Sequence, residues 1–417
     1  MDCGLALAMT SLWSLRNYRY LFSASAISNL GDGVSALAFP WLATLITRDP
    51  VLIGFVAFAG RLPWLLLSIP AGVWTDRMDR RRLMVQADLV RMALTCGVIA
   101  LIFSVPAFPP DQALTYIAAL SALAFLLGSA EVLRDNAAQT VLPSVVPKAA
   151  LERANGQIWS IEHIMGSFIG PPLAGVLIAL AVPAPFALDA VSFAMAAILV
   201  WCMAMSPRLA PARQSAWIEA REGIAWLRSH RTILQLAIML GIMNALALMT
   251  ITILVLYSQE VLGLGSAAHG LLMTAAAAGG VAGGILCPAI AARLGQRRAL
   301  MVALPLLAGS MAMIGLVPAV WVVALALFAE MFAAVLWNVV TVSYRQRLIP
   351  DALLGRVNSL YRFFGWGLSP FGALIGGAVV AMAEPSIGRD LAIRLPYVLC
   401  GLGMVIVWVY AMRRLHL

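Results

Sequence analysis

Twelve apolar runs follow one another almost without interruption, at 20–46, 51–73, 83–105, 112–134, 155–180, 186–205, 233–257, 268–290, 299–317, 320–343, 357–382 and 393–412. A helix of about 20 apolar residues crosses a hydrocarbon core about 30 Å thick. Inside lipid the backbone has no water to bond, so runs of this length fold as helices that satisfy their own N–H and C=O groups. Composition agrees: 62% of the residues are hydrophobic and 11% are charged, against about 25% charged in soluble domains. The first run is too long, and too polar at Asn29 and Asp32, to read as a cleaved leader. It is expected to remain as span one.

The charges are distributed with a bias. Of the 28 Lys and Arg residues, Arg48, Arg389 and Arg394 fall in the segments on one side and Arg61, Arg91 and Arg362 fall within spans. All the others lie on the side of the N-terminus. By the positive-inside rule both termini are then expected in the cytoplasm, with the chain in the cell (inner) membrane. The net charge of +9 follows from this topology, and its cations are spread over short segments. Nucleic-acid binding needs a contiguous basic face and is not expected. The five cysteines share no C-x-x-C spacing, so no metal site is expected. There is no G-x-x-x-x-G-K-[ST] phrase to hold a nucleotide, and neither a cofactor nor an enzymatic activity is expected.

The chain also repeats itself. Gly54, Arg77, Arg81 and Arg82 align in one register with Gly270, Arg293, Arg297 and Arg298. In a second register, Val146-Pro147 through Leu151, Arg153 and Asn155 align with Ile349-Pro350 through Leu354, Arg356 and Asn358. Two equivalent six-helix halves are the simplest source of such a pattern, and membrane chains built from repeats are most often transporters. The expected organisation is a first bundle at 1–205, a cytoplasmic linker at 206–231 and a second bundle at 232–417. The linker's Trp217 to Leu227 stretch has the spacing of an amphipathic helix lying at the headgroups.

The segment after span two, with Gly72, Asp76, Arg77, Arg80 and Arg81, resembles the G-x-x-x-D-R-x-G-R-R/K signature of the major facilitator superfamily. Asp79 stands where that signature has its second Gly. Asn29-Leu-Gly-Asp-Gly33, Leu151-Glu-Arg-Ala-Asn-Gly156 and Leu354-Gly-Arg-Val-Asn358 resemble phrases of its drug:proton antiporter branch, which includes macrolide and tetracycline exporters and the enterobactin exporter. In span five, Gly166, Gly170, Pro171 and Gly175 resemble that branch's antiporter signature, with Ala174 replacing one Gly. The resemblance implies an all-α integral membrane fold of twelve transmembrane helices in two pseudo-symmetric six-helix bundles. The charges around the loop after span two, Asp76 and its arginines, are expected to act as a conformational latch.

Charges within spans are costly, about 2.5–3.5 kcal/mol each at a helix centre, so each asks for a reason. Asp32 in span one and Arg61 in span two are sequential neighbours, expected either as a fixed ion pair or as a proton-exchanging acid with a changing partner. Glu330 in span ten has no charged neighbour within a turn, and Glu162, beside His163, is a third candidate for proton coupling. Asp88, Arg91, Glu131, Arg134 and Asp135 have the spacing of a salt-bridge cluster closing the inner side. Arg134 and Glu131 therefore join Gly72, Asp76, Arg77, Arg80 and Arg81 in the expected latch. Asp189 and His269 read as interface residues. Trp41, Arg61, Asn244, Trp337, Asn338 and Arg362 fall on spans expected to wall a substrate cavity, the aromatic ones being commonly core residues as well.

These readings converge on a secondary transporter, expected as a monomer whose partners are the lipid bilayer, protons and a small-molecule substrate. Drug-like or siderophore-like amphiphiles are the expected cargo, exported by alternating access in exchange for protons, the exchange being inferred chiefly from the resemblance. A uniporter, importer or lysolipid flippase of the same fold, or a non-transporting membrane sensor, remains the alternative.

Overall fold

A computed structural model of the chain describes residues 12–147, 150–204, 224–349, 357, 360–361 and 363–415, without side-chain detail at 69, 72, 73, 76, 77, 152 and 346. Among the described residues the fold is helical: α1 (Arg16–Ile46), α2 (Pro50–Arg77), α3 (Arg80–Ser104) and α4 (Ala113–Val145) come first. α5 runs in three pieces, Leu151–His163, a π-helical Ile164–Ile169 and Gly170–Leu180, before α6 (Ala184–Trp201). α7 (Arg231–Leu256) ends in a second π-helical turn, Tyr257–Val261. Then follow α8 (Ser266–Leu294), α9 (Gln296–Leu316), α10 (Val320–Leu348), α11 (Ser369–Ile387) and α12 (Arg389–Arg414). Among the described residues eleven helices are long and apolar enough to cross a membrane by length and composition, and α1, 31 residues long with Asn29 and Asp32 in its middle, precedes them. The linker helix expected at Trp217 lies outside the described residues.

The large apolar side chains left uncovered, among them Phe103, Leu180, Ile285, Trp321 and Met382, are what a bilayer-facing surface requires. Two compact units divide the chain, one comprising 1–46 with 62–212 and the other 47–61 with 213–417. The start of α2 thus belongs to the second unit although it precedes most of the first in sequence. In that unit a Cβ at Gly54 would lie 2.6 Å from the Ala373 carbonyl oxygen of α11, so only glycine permits the approach.

The repeat read in the sequence is repeated in the packing. In the first unit α1 packs on α5 and α6, and α3 packs on α4 and α6. In the second unit α7 packs on α11 and α12, and α9 packs on α10 and α12. Tyr18, Leu21, Met84, Val141 and Ala196 lie in the core of the first unit. Leu236, Leu300, Leu304, Trp337 and Tyr397 lie in that of the second.

Two capping details set the loop ends. Asp79, the residue replacing the signature's Gly, sits at the N-cap of α3 and accepts the Arg82 N–H at 3.0 Å, which satisfies one of the donors a helix start leaves open. Asn17 closes α6 by bonding both the carbonyl and the N–H of Ala204, at 2.8 and 3.1 Å.

Candidate functional site: a buried ionic network

Five charged side chains form a chain through the first unit. Asp32 of α1 is paired with Arg91 of α3, whose other terminal nitrogen lies 3.9 Å from Asp88 one turn earlier on the same helix. Asp88 is also 3.6 Å from Nε of Arg134 on α4, and Arg134 is 3.6 Å from Asp135. Asp88, Arg91 and Arg134 are buried, while the Asp32 side chain keeps 32% of its exposure and Asp135 36%. The network is thus sealed in the middle and open at both acidic ends. Arg91 is further fixed by Ser28 Oγ at 3.4 Å and by the Phe193 ring of α6, whose centroid is 3.9 Å from its guanidinium carbon. A cation over an aromatic face without intervening water is held by the ring quadrupole, by about 2 kcal/mol or more.

This arrangement corrects one expectation. Asp32 pairs with Arg91, not with Arg61, which is exposed. Within its unit α1 borders α4, α5 and α6, and the long Arg91 side chain reaches across from α3. Sequential neighbours are not the partners that packing selects. Asp189, read as an interface residue, is 1% exposed and accepts a hydrogen bond from Ser35 of α1. His269 is 5% exposed and shares a 2.8 Å hydrogen bond with Ser258 of the π-helical turn. The signal for Asp189 was present: it is the one charged residue in an 18-residue apolar helix.

The expected latch residues fall into two sets. Arg80 donates to the Thr140 carbonyl of α4 at 3.0 Å, and Arg81 donates to the Met203 carbonyl beyond α6 at 2.7 Å while lying over the Trp201 ring. Those two arginines tie the α3 start to the ends of neighbouring helices. Arg134 belongs instead to the buried network, and Glu131 is half-buried on the same helix. α2 passes through Gly72, Asp76 and Arg77, whose side-chain placement lies outside the described residues, as does Arg362.

Gly166 and Gly170 form the seam with α1. A Cβ at Gly170 would lie 2.7 Å from the Gly33 backbone, and one at Gly33 would run into the Gly166 carbonyl. A Cβ at Gly166 would meet the Asn29 carbonyl at 3.3 Å, and Gly175 is buried further along the helix. The helix is π-wound just before Pro171, with the Gly170 N–H reaching back five residues to the Met165 carbonyl. Proline lacks an N–H and its ring crowds the preceding turn, so a widened turn at that place has a direct cause. Glu162 is half-buried one turn earlier, and His163 meets the Trp159 ring edge-on at 4.1 Å.

In the second unit Glu330 is half-buried on α10, between the stacked Phe328 and Phe332 rings in sequence, and has no ion-pair partner among the described residues. Asn244 of α7 donates to the Gly365 carbonyl at 2.8 Å, which fixes its amide, and Asn338 is exposed. Trp337 is 1% exposed and lies in the core; Trp41, in the first unit, is also buried. A set not foreseen from sequence closes the other end of this unit. Arg389 bonds Glu260 and Glu384 at 2.9 Å each and donates to the Arg48 carbonyl at 2.6 Å, and Arg48 lies 3.7 Å from Glu260.

Comparison with known proteins agrees with this architecture. The family model described as transmembrane secretion effector matches residues 9–413. The chain is 25% identical to a staphyloferrin A transporter of Staphylococcus aureus over 279 residues, covering 67% of this chain and 68% of that one. It is 31% identical to the multidrug efflux pump Tap of Mycolicibacterium fortuitum over 160 residues, a match spanning 37% of either chain. The solved structure of the nucleoside transporter NupG superposes with a TM-score of 0.72 at 13% identity, covering 96% of this chain and 99% of that one, and so shares the fold. The long helices of the described residues, repeated in two sets, and the transporters the chain resembles make it a multi-pass membrane transporter and not an enzyme. The chain belongs to the transmembrane secretion effector family and is an efflux transporter of the major facilitator type.

Proposed function

We propose that this transporter exports hydrophobic or amphiphilic small molecules, drug-like or siderophore-like, across the inner membrane by alternating access in exchange for protons. The observation that carries the exchange is the excess of acid over base in the network of the first unit: Asp32, Asp88 and Asp135 against Arg91 and Arg134. A low-dielectric interior disfavours an uncompensated carboxylate, so such an excess is relieved by binding a proton or a cationic cargo. Asp32, the partly exposed end of the chain, is the proton-exchanging group of this reading, with Glu162 and Glu330 as further acids. The names of the staphyloferrin and Tap relatives support the cargo class. Both termini lie in the cytoplasm, as the distribution of its arginines favours, and the transporter works as a monomer. Arg80 and Arg81 at the start of α3, with Gly72, Asp76 and Arg77 at the end of α2, act as the inner latch, and the Gly166–Gly175 stretch is the element that rocks.

Purified protein in liposomes with an imposed pH gradient tests this. Erythromycin is expected to accumulate against its own gradient when the pH gradient is present, and Asp32→Asn is expected to abolish that accumulation. Movement down the substrate gradient alone, indifferent to pH and to Asp32→Asn, sinks the exchange reading.

A further inference from the structure

Asp189 is the one charged side chain of α6, it is 1% exposed, and nothing in the proposed cycle uses it. Its surroundings are specific. One carboxyl oxygen shares a short hydrogen bond with Ser35 of α1, and the other, Oδ1, has no hydrogen-bond partner among the described residues. A Cβ at Gly31 would collide with Oδ1 and with Ser192 Oγ, so the carboxyl lies against the α1 backbone one residue before Asp32. One helical turn along α6, Phe193 carries the Arg91 guanidinium. Asp32, Arg91 and Asp189 thus meet where α1, α3 and α6 join.

The remaining groups facing this place are few. From α1 they are Asp32 and Ser35; from α3 they are Arg91 and, 3.9 Å behind it, Asp88. The Gly170–Leu180 stretch of α5, which also touches α6, carries no titratable side chain. Asp32, Asp88, Asp135 and Asp189 stand against two cations, Arg91 and Arg134, so the set carries more carboxylates than cations and is relieved when a buried acid holds a proton. An anionic oxygen without a donor is the expensive alternative when buried. If the proton sits on the oxygen facing Ser35, the hydroxyl accepts it, and Oδ1 becomes a neutral carbonyl oxygen whose lack of a partner costs far less.

We propose that Asp189 is a second proton-binding carboxyl, which gives up its proton when Asp32 takes one, with Arg91 shared between them. The inference rests on the proton-exchange reading above. With Asp32 ionised and paired to Arg91, Asp189 holds the proton. Protonation of Asp32 from water releases Arg91, whose charge then stabilises the Asp189 carboxylate, and the Asp189 proton leaves to water. One proton enters, one leaves, and the buried charge stays constant throughout.

Infrared pH titration of the full chain in lipid vesicles, followed at the protonated-carboxyl stretching band without any substrate, tests Asp189 by itself. Wild type is expected to show a band that Asp189→Asn removes and Asp189→Glu restores at a shifted frequency. Asp32→Asn, by leaving Arg91 free to hold Asp189 ionised, is expected to move the band's midpoint down by about 1–3 pH units. A band that survives Asp189→Asn, or a midpoint indifferent to Asp32→Asn, overturns the proposal. Should Asp189→Asn fail to fold, the Asp32→Asn midpoint decides alone. Erythromycin transport in the same vesicles separates the two readings. An expected titration with pH-indifferent transport keeps the proton site and removes the exchange cycle, whereas a failed titration with pH-driven transport leaves the exchange to Asp32 alone.

Discussion

Arg91 is held between a carboxylate and an aromatic ring: Asp32 on α1 pairs with its terminal nitrogen while Phe193 on α6 stacks against its guanidinium 3.9 Å away. The two partners are unequal, because Asp32 reaches solvent and Phe193 is buried. Removing the cation therefore does more damage than removing the acid. Arg91→Gln leaves Asp88 and Asp32 without their shared charge and is expected to cost about 3–5 kcal/mol, as breaking a buried pair does. Asp32→Asn leaves Arg91 with Asp88 and Phe193 and is expected to cost clearly less. Thermal unfolding of the two purified variants compares them, and equal losses would contradict the asymmetry.

Gly33 and Gly170 approach each other backbone to backbone, and a Cβ on Gly170 would sit 2.7 Å from Gly33. Gly170→Ala is expected to destabilise by about 1–3 kcal/mol, the usual cost of overpacking, and to depress transport. Gly166→Ala meets a carbonyl at 3.3 Å and is expected to be milder. Transport rate and unfolding temperature, measured on both variants, give the ranking.

Pro171 follows the π-helical turn whose Gly170 N–H bonds Met165. With Pro171→Ala the missing N–H returns, so α5 is expected to regularise toward α-helix, gain stability and turn over more slowly. The measurement is a paired one: unfolding temperature rising while transport rate falls. A variant faster than wild type would argue that the widened turn has no part in movement.

At the end of the second unit, Arg389 joins Glu260, Glu384 and the Arg48 carbonyl in a partly exposed cluster. Partly exposed pairs contribute about 0–1 kcal/mol each and weaken with salt. Arg389→Ala removes all three contacts and is expected to lower stability more than Glu384→Gln, with the gap narrowing at high salt. Unfolding curves at low and high ionic strength read it directly.

The twelve spans and the repeat were legible because lipid leaves a strong, local signal: a run of apolar residues of fixed length. The recurrence of α1 with α5 and α6 as α7 with α11 and α12 follows from the same repeat. Partner choice among the buried charges was not legible. Asp32 and Arg61 are neighbours along a hairpin, yet the ion pair forms with Arg91, because which long side chain reaches an acid depends on helix rotation and packing. Asp189 was missed for a related reason: its place near the start of α6 looked peripheral, whereas the tight approach of Gly31 brings α1 over it. The cluster at Arg389 joins residues from four helix ends or loops far apart in sequence, and no local pattern announces it.

The contact of Gly33 with Gly166 and Gly170 has a kinetic consequence. Most helix interfaces interlock through side chains, and displacement must wait for those side chains to leave one rotamer and find another. Ordering a side chain costs up to about 2 kcal/mol, and glycine contributes none of it. Where Gly33 meets Gly166 and Gly170 the touching atoms belong to the main chain, so at that line the surfaces meet without teeth. Displacement along the glycine line therefore needs no rotamer change there, and its resistance comes from the side-chain contacts beyond it, such as Tyr18 with Gln157.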